Sequence, residues 1–267
     1  MDGSGNARPT ALVTGASSGI GLELARAAAA DGFDLVLVAR NREALERLAG
    51  ELRAAHGVAA RVLAADLADP AAPRKIVAEL EAAGVCVDAL VNNAGVGTWG
   101  RFVELDPEGE LRTLQVDILA LTHLARLFLP GMVRRGGGRV LNVASTAAFQ
   151  PGPLMATYYA AKAYVLSFSE ALAAELAGTG VTVTVLCPGP TRSDFQRRAG
   201  MEGVRVASGF PVMQSSAAVS RAGWRAMRRG TRVVIPGLLN RALVQSVRLG
   251  PRRLVTAIAH RLNARAS

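Results

Sequence analysis

The sequence predicts an α/β fold: a doubly wound parallel sheet of about seven strands with helices on both faces, a three-layer sandwich. Three observations carry this. Short apolar runs alternate with segments of helical period along most of the chain. A glycine-rich turn joins the first run to the first helical segment. The 267 residues, half of them hydrophobic, suffice for one large core, so a single domain is expected.

Residues 10–13 make a short apolar strand, followed by the turn TGASSGIG and by LELARAAAADG, a helix ending at Gly32. The grammar then repeats. DLVLVAR reads as a strand, NREALERLAGELRAAHG as a helix opened by Asn41, and ARVLAAD as a third strand. PAAPRKIVAELEAAG is helical and VDALVNNAG a fourth strand. A long helix near residues 110–135 stops at GGG. After it come the strand RVLNVAS, the helix PLMATYYAAKAYVLSFSEALAAELAG and the strand VTVTVLCPG. A shorter strand, TRVVIPG, and two amphipathic helices with apolar Leu254, Ile258 and Leu262 finish the chain. Strands alternating with helices imply right-handed crossovers and a sheet covered on both faces.

The net charge of +10 is unevenly placed. From Arg192 onward 15 arginines face only Asp194 and Glu202, a net of +13, which leaves −3 on the first 191 residues. Such asymmetry points to an anionic surface, or else to a solvated arginine-rich helical tail. No zinc-finger spacing or RNP-like aromatic run occurs, so nucleic acid is not an expected partner. Cys86 and Cys187 stand alone in apolar surroundings and are expected to be core thiols in a reducing compartment. The polar start MDGSGNARPT lacks a signal-peptide pattern, and a cytoplasmic location is expected. Residues 140–161 are uncharged, yet their Asn, Ser, Thr, Gln and prolines make a poor membrane helix. His56, His123 and His260 are dispersed, and no metal site is implied.

Glycines in TGASSGIG let the backbone approach a pyrophosphate while the next helix directs N–H groups at the anion, although such a turn alone also reads as a tight strand-to-helix connection. Residues 158–164, YYAAKAY, place Lys162 four residues after Tyr158 and three after Tyr159. Helical spacing lets either ring share a face with the ammonium. The second strand ends in Ala39-Arg40 rather than in a carboxylate. Arg40, helped by Arg42, suits a ribose 2′-phosphate, so NADP(H) is expected over NAD(H).

TGASSGIG, then Asn92-Asn93-Ala94-Gly95, a serine ahead of Tyr-x-x-x-Lys, and Pro188-Gly189 together resemble the short-chain dehydrogenase/reductase family over residues 10–195. The resemblance implies a Rossmann-type fold and hydride transfer between a nicotinamide and a ketone, aldehyde or secondary alcohol. It places the active serine thirteen residues before the tyrosine, which selects Ser145, Tyr158 and Lys162. Tyr159 and Tyr164 are then packing or pocket residues. Tyr158 would act as acid in reduction and base in oxidation, its phenol brought toward working pH by Lys162 and the oxidised nicotinamide. Lys162 would also hold the ribose hydroxyls, and Ser145 would steady the substrate oxygen.

The same resemblance assigns cofactor contacts to Gly15, Ser17, Ser18, Gly19, Ile20 and Gly21, to Asp66, Leu67, Asn92, Ala94 and Gly95, and to Pro188, Gly189 and Ser193. Asp66 would face the adenine, its alternative being a helix cap. One departure stands out: Asp117 occupies the usual asparagine position, and an ionised Asp only accepts hydrogen bonds. The expectation is a working relay with altered pH dependence.

The substrate pocket is expected from Phe149, Leu154 and Met155 and from Phe195, Met201, Phe210, Pro211, Val212 and Met213, an apolar set. Within the single domain, residues 196–236 are read as substrate loop, helix and last strand, and residues 237–267 as basic amphipathic helices. These last helices either lie on an anionic membrane or seal the subunit or an oligomer interface. Relatives pair through the long helices around Asp117 and Tyr158, which implies a homodimer or homotetramer. A rival reading is a nucleotide-sensing protein of the same fold without turnover.

Overall fold

The computed structural model describes residues 8–208 and 213–265, with side chains omitted at 207 and 208. Its main sheet contains β1 (Thr10–Thr14), β2 (Asp34–Ala39), β3 (Ala60–Ala64), β4 (Ala89–Asn92), β5 (Gly138–Val143) and β6 (Val181–Leu186). After β6 come a two-stranded ribbon, β7 (Thr191–Arg192) with β8 (Gln214–Ser215), and the short β9 (Val233–Val234). The order β3-β2-β1-β4-β5-β6-β9 is parallel throughout, which gives the predicted seven-stranded sheet.

Strand side chains alternate between two cores, as the period of two requires. Ala11 and Val13 join Leu24, Ala28, Leu45, Trp224 and Met227 on one face, from α1 (Gly19–Ala30), α2 (Arg42–His56) and α9 (Ser216–Arg228). Leu12 joins Ile76, Leu80, Leu124 and Met132 on the other, from α3 (Ala72–Ala82) and α5 (Leu121–Arg134). With helices on both faces β1, β2, β4, β5 and β6 are buried almost without interruption, while the edge strand β3 exposes Arg61 and Ala64. Asn41 caps α2 as expected, its side chain accepting from the Ala44 N–H at 3.0 Å. The strand order reverses between β1 and β4, and such a reversal opens a crevice at the strand C-termini.

The expected long helix is a run of three pieces: α4 (Pro107–Leu114), a π-helical turn over Gln115–Ala120, and α5. Asp106 caps it three residues earlier than the sequence pattern suggested, through the Glu108 and Gly109 N–H groups. By length and composition Pro107–Arg134 could cross a bilayer, but Val116, Ala120, Leu124, Ala125 and Met132 on it are buried in this fold. Helix α6 spans Ala156–Glu175 and starts later than expected; Pro153, Leu154 and Met155 form the turn ahead of it. Two short helices, α7 (Phe195–Arg198) and α8 (Arg205–Ser208), precede α9, and α10 (Leu238–Val247) and α11 (Arg252–Asn263) close the chain.

One core expectation fails. Cys187 is buried at the end of β6, but Cys86 is exposed. Its neighbours Val85 and Val87 face inward to different degrees in the connection before β4, and the alternation turns Cys86 outward.

Candidate active site

A cavity of about 1520 Å³ runs along the C-terminal ends of the strands, from the tip of β2 to α11. At its centre lies the glycine-rich turn. Gly15 and Gly19 adopt positive φ, at 67° and 58°. A Cβ on Gly15 would stand 2.7 Å from the Asn93 amide and 3.0 Å from the Ala94 backbone, so only glycine fits. Asn93 fixes the turn from β4, donating from Nδ2 to the Thr14 carbonyl at 2.8 Å, while Thr14 Oγ1 accepts from the Asn93 and Ala94 N–H groups. Ser18 precedes α1 without making a side-chain cap, and no acidic residue sits in the helix's first turn. The helix N–H groups are thus left for an anion, and the cradle fits a dinucleotide pyrophosphate.

Ser17, Ser18 and Ile20 line the cavity with the two glycines, whereas Gly21 does not. Gly21 is a packing position, since a Cβ there would come within 2.3 Å of the Gly15 carbonyl. Asn92 also departs from expectation. It is buried beneath the cleft, donating to Asn142 Oδ1 at 3.0 Å, and it is Asn93 that reaches the cavity. The reason is the strand alternation, which sends adjacent side chains to opposite sides.

Ser145, Tyr158 and Lys162 meet at the other end. Ser145 lies just past β5 and opens a 3₁₀ turn, its Oγ accepting from the Ala147 N–H at 3.1 Å. Tyr158 is in the first turn of α6 and Lys162 in the next, with the ammonium 5.5 Å from the phenol ring centroid. Lys162 also donates to the Val143 carbonyl at 3.2 Å. Tyr159 turns away: its hydroxyl donates to Asn263 Oδ1 at 3.1 Å and its ring lies against Gly152. Tyr164 is on the surface and pairs its hydroxyl with Thr122.

Asp117 sits behind Lys162. Its Oδ2 is 2.9 Å from the ammonium, an ion pair off the line of a well-directed hydrogen bond, and its Oδ1 accepts from the Val96 N–H at 2.8 Å. Both partners are buried, at 1% and 4% exposure. Burial works against a charged Lys162, but the negative charge of Asp117 and Tyr158 more than offsets it, and the lysine holds its proton above the ordinary range. Burial pushes the Asp117 carboxyl up as well, with Lys162 opposing.

The Tyr158 ring keeps a face on the cavity while protein encloses it elsewhere. Burial is the largest influence on its phenol and raises it; Lys162 pulls it down, Asp117 pushes it up, and a hydrogen bond with Ser145 lowers it. The net effect is a rise. Burial together with Asp117 therefore outweighs the lysine's pull on the phenol.

Where the cavity reaches β2, Arg40 lines it from the strand's end and Arg47 from α2, while the expected Arg42 does not line it and pairs instead with Glu46 at 3.8 Å. Asp66 lines the same space with Leu67, Ala94 and Gly95. It is not a helix cap: α3 begins at Ala72, and Asp66 instead accepts from the Ala68 N–H and from Arg112 Nη2 at 2.9 and 2.7 Å. Burial raises its carboxyl, but these bonds and the Arg40 charge outweigh that and hold it below the usual range. Pro188, Gly189 and Ser193 line the same cavity. Arg198 was not anticipated; its Nη2 donates to Ser18 Oγ at 2.6 Å, tying α7 to the phosphate turn.

The substrate side is lined by Met155, Phe195 and Met201, with Tyr158 and Tyr159 beside them. Phe149 and Leu154 do not line it. Phe149 is half-buried against the cluster that includes Leu121 and Val165, and Leu154, at φ 70°, contributes its carbonyl to the Gly100 N–H. Phe210, Pro211 and Val212 lie outside the described residues, and Met213 is half-buried away from the cavity. Instead α11 supplies Leu254, Ile258, Leu262 and Asn263. Asn263 is fully buried: besides accepting from Tyr159 it donates to the Pro153 carbonyl, and its own carbonyl accepts from Trp99 Nε1 at 2.7 Å. The apolar stripe of α11 was visible in the sequence, but not which cavity it would wall. Among the described residues no group of three or more His, Cys, Asp or Glu is placed to hold a metal ion.

Residues 9–202 match the short chain dehydrogenase family. A short chain dehydrogenase of Pseudocercospora fijiensis is 37% identical over 207 residues, which span 77% of this chain and 66% of that longer relative. A short-chain dehydrogenase from Sphingobium yanoikuyae in complex with NADPH superposes with a TM-score of 0.80 at 36% identity, covering 91% of this chain and 94% of that one. The bulky-bulky ketone specific alcohol dehydrogenase from Comamonas testosteroni gives 0.76 at 30% identity, covering 91% and 92%. A short chain dehydrogenase/reductase from Burkholderia phymatum in complex with NAD gives 0.81 at 26%, covering 97% and 98%. With a family match over more than half its length and the same sheet architecture, this chain belongs to the short-chain dehydrogenase/reductase family.

Proposed function

We propose that the protein is an NADP(H)-dependent oxidoreductase that interconverts an apolar ketone or aldehyde and the corresponding alcohol, with Tyr158 as general acid/base. One observation carries this reading: a single cavity joins a glycine cradle fit for a pyrophosphate to the Ser145, Tyr158 and Lys162 group. Arg40 and Arg47 would hold the 2′-phosphate, the α1 N-terminus the pyrophosphate, and Lys162 the ribose hydroxyls. When bound, the nicotinamide supplies or accepts the hydride.

The chain's own residues manage the proton. Tyr158 gives its phenolic proton to the substrate oxygen as negative charge develops there, and Ser145 Oγ donates a hydrogen bond to the same oxygen. Lys162 holds its charge beside the phenol, steadied by Asp117 and the Val143 carbonyl. A phenol held above its ordinary range keeps its proton, which suits reduction. Met155, Phe195 and Met201 exclude water and favour an apolar substrate, in keeping with the ketone-acting neighbour.

The Asp117–Lys162 pair favours a second reading, a nucleotide sensor that binds the dinucleotide without turnover, because it offsets the charge that would activate Tyr158. A panel of apolar ketones and aldehydes followed by NADPH absorbance separates the two. Consumption that disappears in Tyr158→Phe supports the enzyme; tight NADPH binding with no consumption across the panel supports the sensor. For assembly, the half-exposed Leu111 and Leu119 on the run containing Asp117 and the surface Tyr164 on α6 mark the face proposed to pair two copies, testable by light scattering of the parent and Leu119→Glu.

A further inference from the structure

We propose that the C-terminal pair α10–α11 docks the protein on an anionic lipid surface. These helices and their connection expose Leu238 at 81%, Leu249 at 89%, Leu254 at 55% and Ile258 at 53%, with Leu239 and Leu243 also exposed. Single exposed leucines carry no meaning, but four of these side chains recur at helical spacing, with Leu238 and Leu249 flanking them at the start of α10 and in the turn before α11. Leu239 and Leu243 are four apart on α10, and Leu254 and Ile258 four apart on α11, so each pair forms a stripe. Leu243, Leu254 and Ile258 all line the cavity of the candidate active site, so both stripes border the same opening.

Charge identifies the occupant. No Asp or Glu follows Glu202. Arg248, Arg252, Arg253 and Arg261 are exposed on the same two helices and the turn joining them. A second copy meeting this face symmetrically would oppose arginine to arginine. Nucleic acid finds no Phe, Trp or Tyr here on which to stack a base. A bilayer interface satisfies both sets of groups: leucines enter the acyl boundary while guanidinium groups extend to anionic headgroups. The surface does not depend on the proposed reaction, and its test reads binding alone.

The full chain is sedimented with phosphatidylcholine vesicles and with vesicles containing about one-third phosphatidylglycerol. It is expected to pellet with the anionic vesicles, to be released as salt rises, and to stay in solution with the zwitterionic ones. Leu238→Glu with Leu249→Glu should lower the bound fraction about tenfold or more. Arg252→Gln with Arg253→Gln should lower affinity by about fivefold per arginine. Both variants change surface positions and should keep the parent's melting temperature and NADPH affinity, which separates lost docking from misfolding. The proposal is overturned if the parent stays in solution with anionic vesicles or if the leucine variant pellets like the parent. It is equally overturned if the leucine variant sediments as a smaller species without vesicles, which would assign the face to a second copy, or if the arginines retain duplex DNA while vesicles are ignored.

Discussion

Replacing Asp117 by alanine removes the counter-charge of a buried Lys162 and strands the Val96 N–H, which now donates to Asp117 Oδ1 at 2.8 Å. Breaking a buried ion pair from one side costs about 3–5 kcal/mol. With an unfolding entropy of ~2.1 cal/mol/K per residue, this chain's length converts that cost to a fall in Tm of about 5–9 °C. Asp117→Asn keeps an acceptor for Val96 and should lose less. Its larger effect is on catalysis. The proposed reduction uses protonated Tyr158, so its activity should be present below the phenol's pKa and lost as pH rises through it. Burial and Asp117 hold that pKa up, so the parent's plateau should extend into the alkaline range. Asparagine leaves the Lys162 charge unopposed and moves the falling limb to lower pH; the rising limb of alcohol oxidation moves the same way. Thermal melts and pH profiles of kcat/KM in both directions read these effects. Superimposable profiles for parent and Asp117→Asn, or a Tm within a degree for Asp117→Ala, would refute the ion-pair argument.

Other outcomes follow from the same geometry. Tyr158→Phe should lower kcat by about 10²–10⁴-fold with NADPH affinity kept, measured by turnover and fluorescence titration; Tyr159→Phe should leave kcat within a few fold, because that hydroxyl is engaged by Asn263. Arg40→Ala with Arg47→Ala should raise KM for NADPH by about 10- to 100-fold, the worth of charged hydrogen bonds, and leave NADH nearly unchanged. Thiol labelling of the native protein should modify Cys86 alone: Cys187 is buried, with its thiol pushed up to about 12, and should react only after unfolding.

Short-range interactions made much of this protein legible in one dimension. The β1–turn–α1 unit declares itself because Gly15 and Gly19 need positive φ and because strand and helix periods differ. The Asn41 cap, the strand succession and the Tyr158–Lys162 spacing are legible for the same reason, being set within a few residues or along one regular element, whereas Ser145 was reached through the family resemblance. Arg40 at the end of β2 was equally visible, since strand direction alone puts it at the crevice.

What the chain could not declare are contacts between residues far apart in it. Tyr158 and Tyr159 both stand within one helical turn of Lys162, and Asn263, 104 positions after Tyr159, is what engages the second hydroxyl. Phe149 and Leu154 look like pocket residues until packing turns one inward and uses the other's backbone, while α11 takes their place. Asn92 and Asn93 exchange their expected roles by strand alternation, and Asp66 meets Arg112 only across the cleft. The charge state of Tyr158 belongs to this second group, because desolvation depends on every atom around the phenol and Asp117 reaches it only through the fold. Sequence alone therefore determined the sheet and the cradle, and set the phenol proposed to react within one helical turn of Lys162. The tertiary structure decided which side chains border it and how readily it holds its proton, since both depend on three-dimensional burial rather than on local spacing.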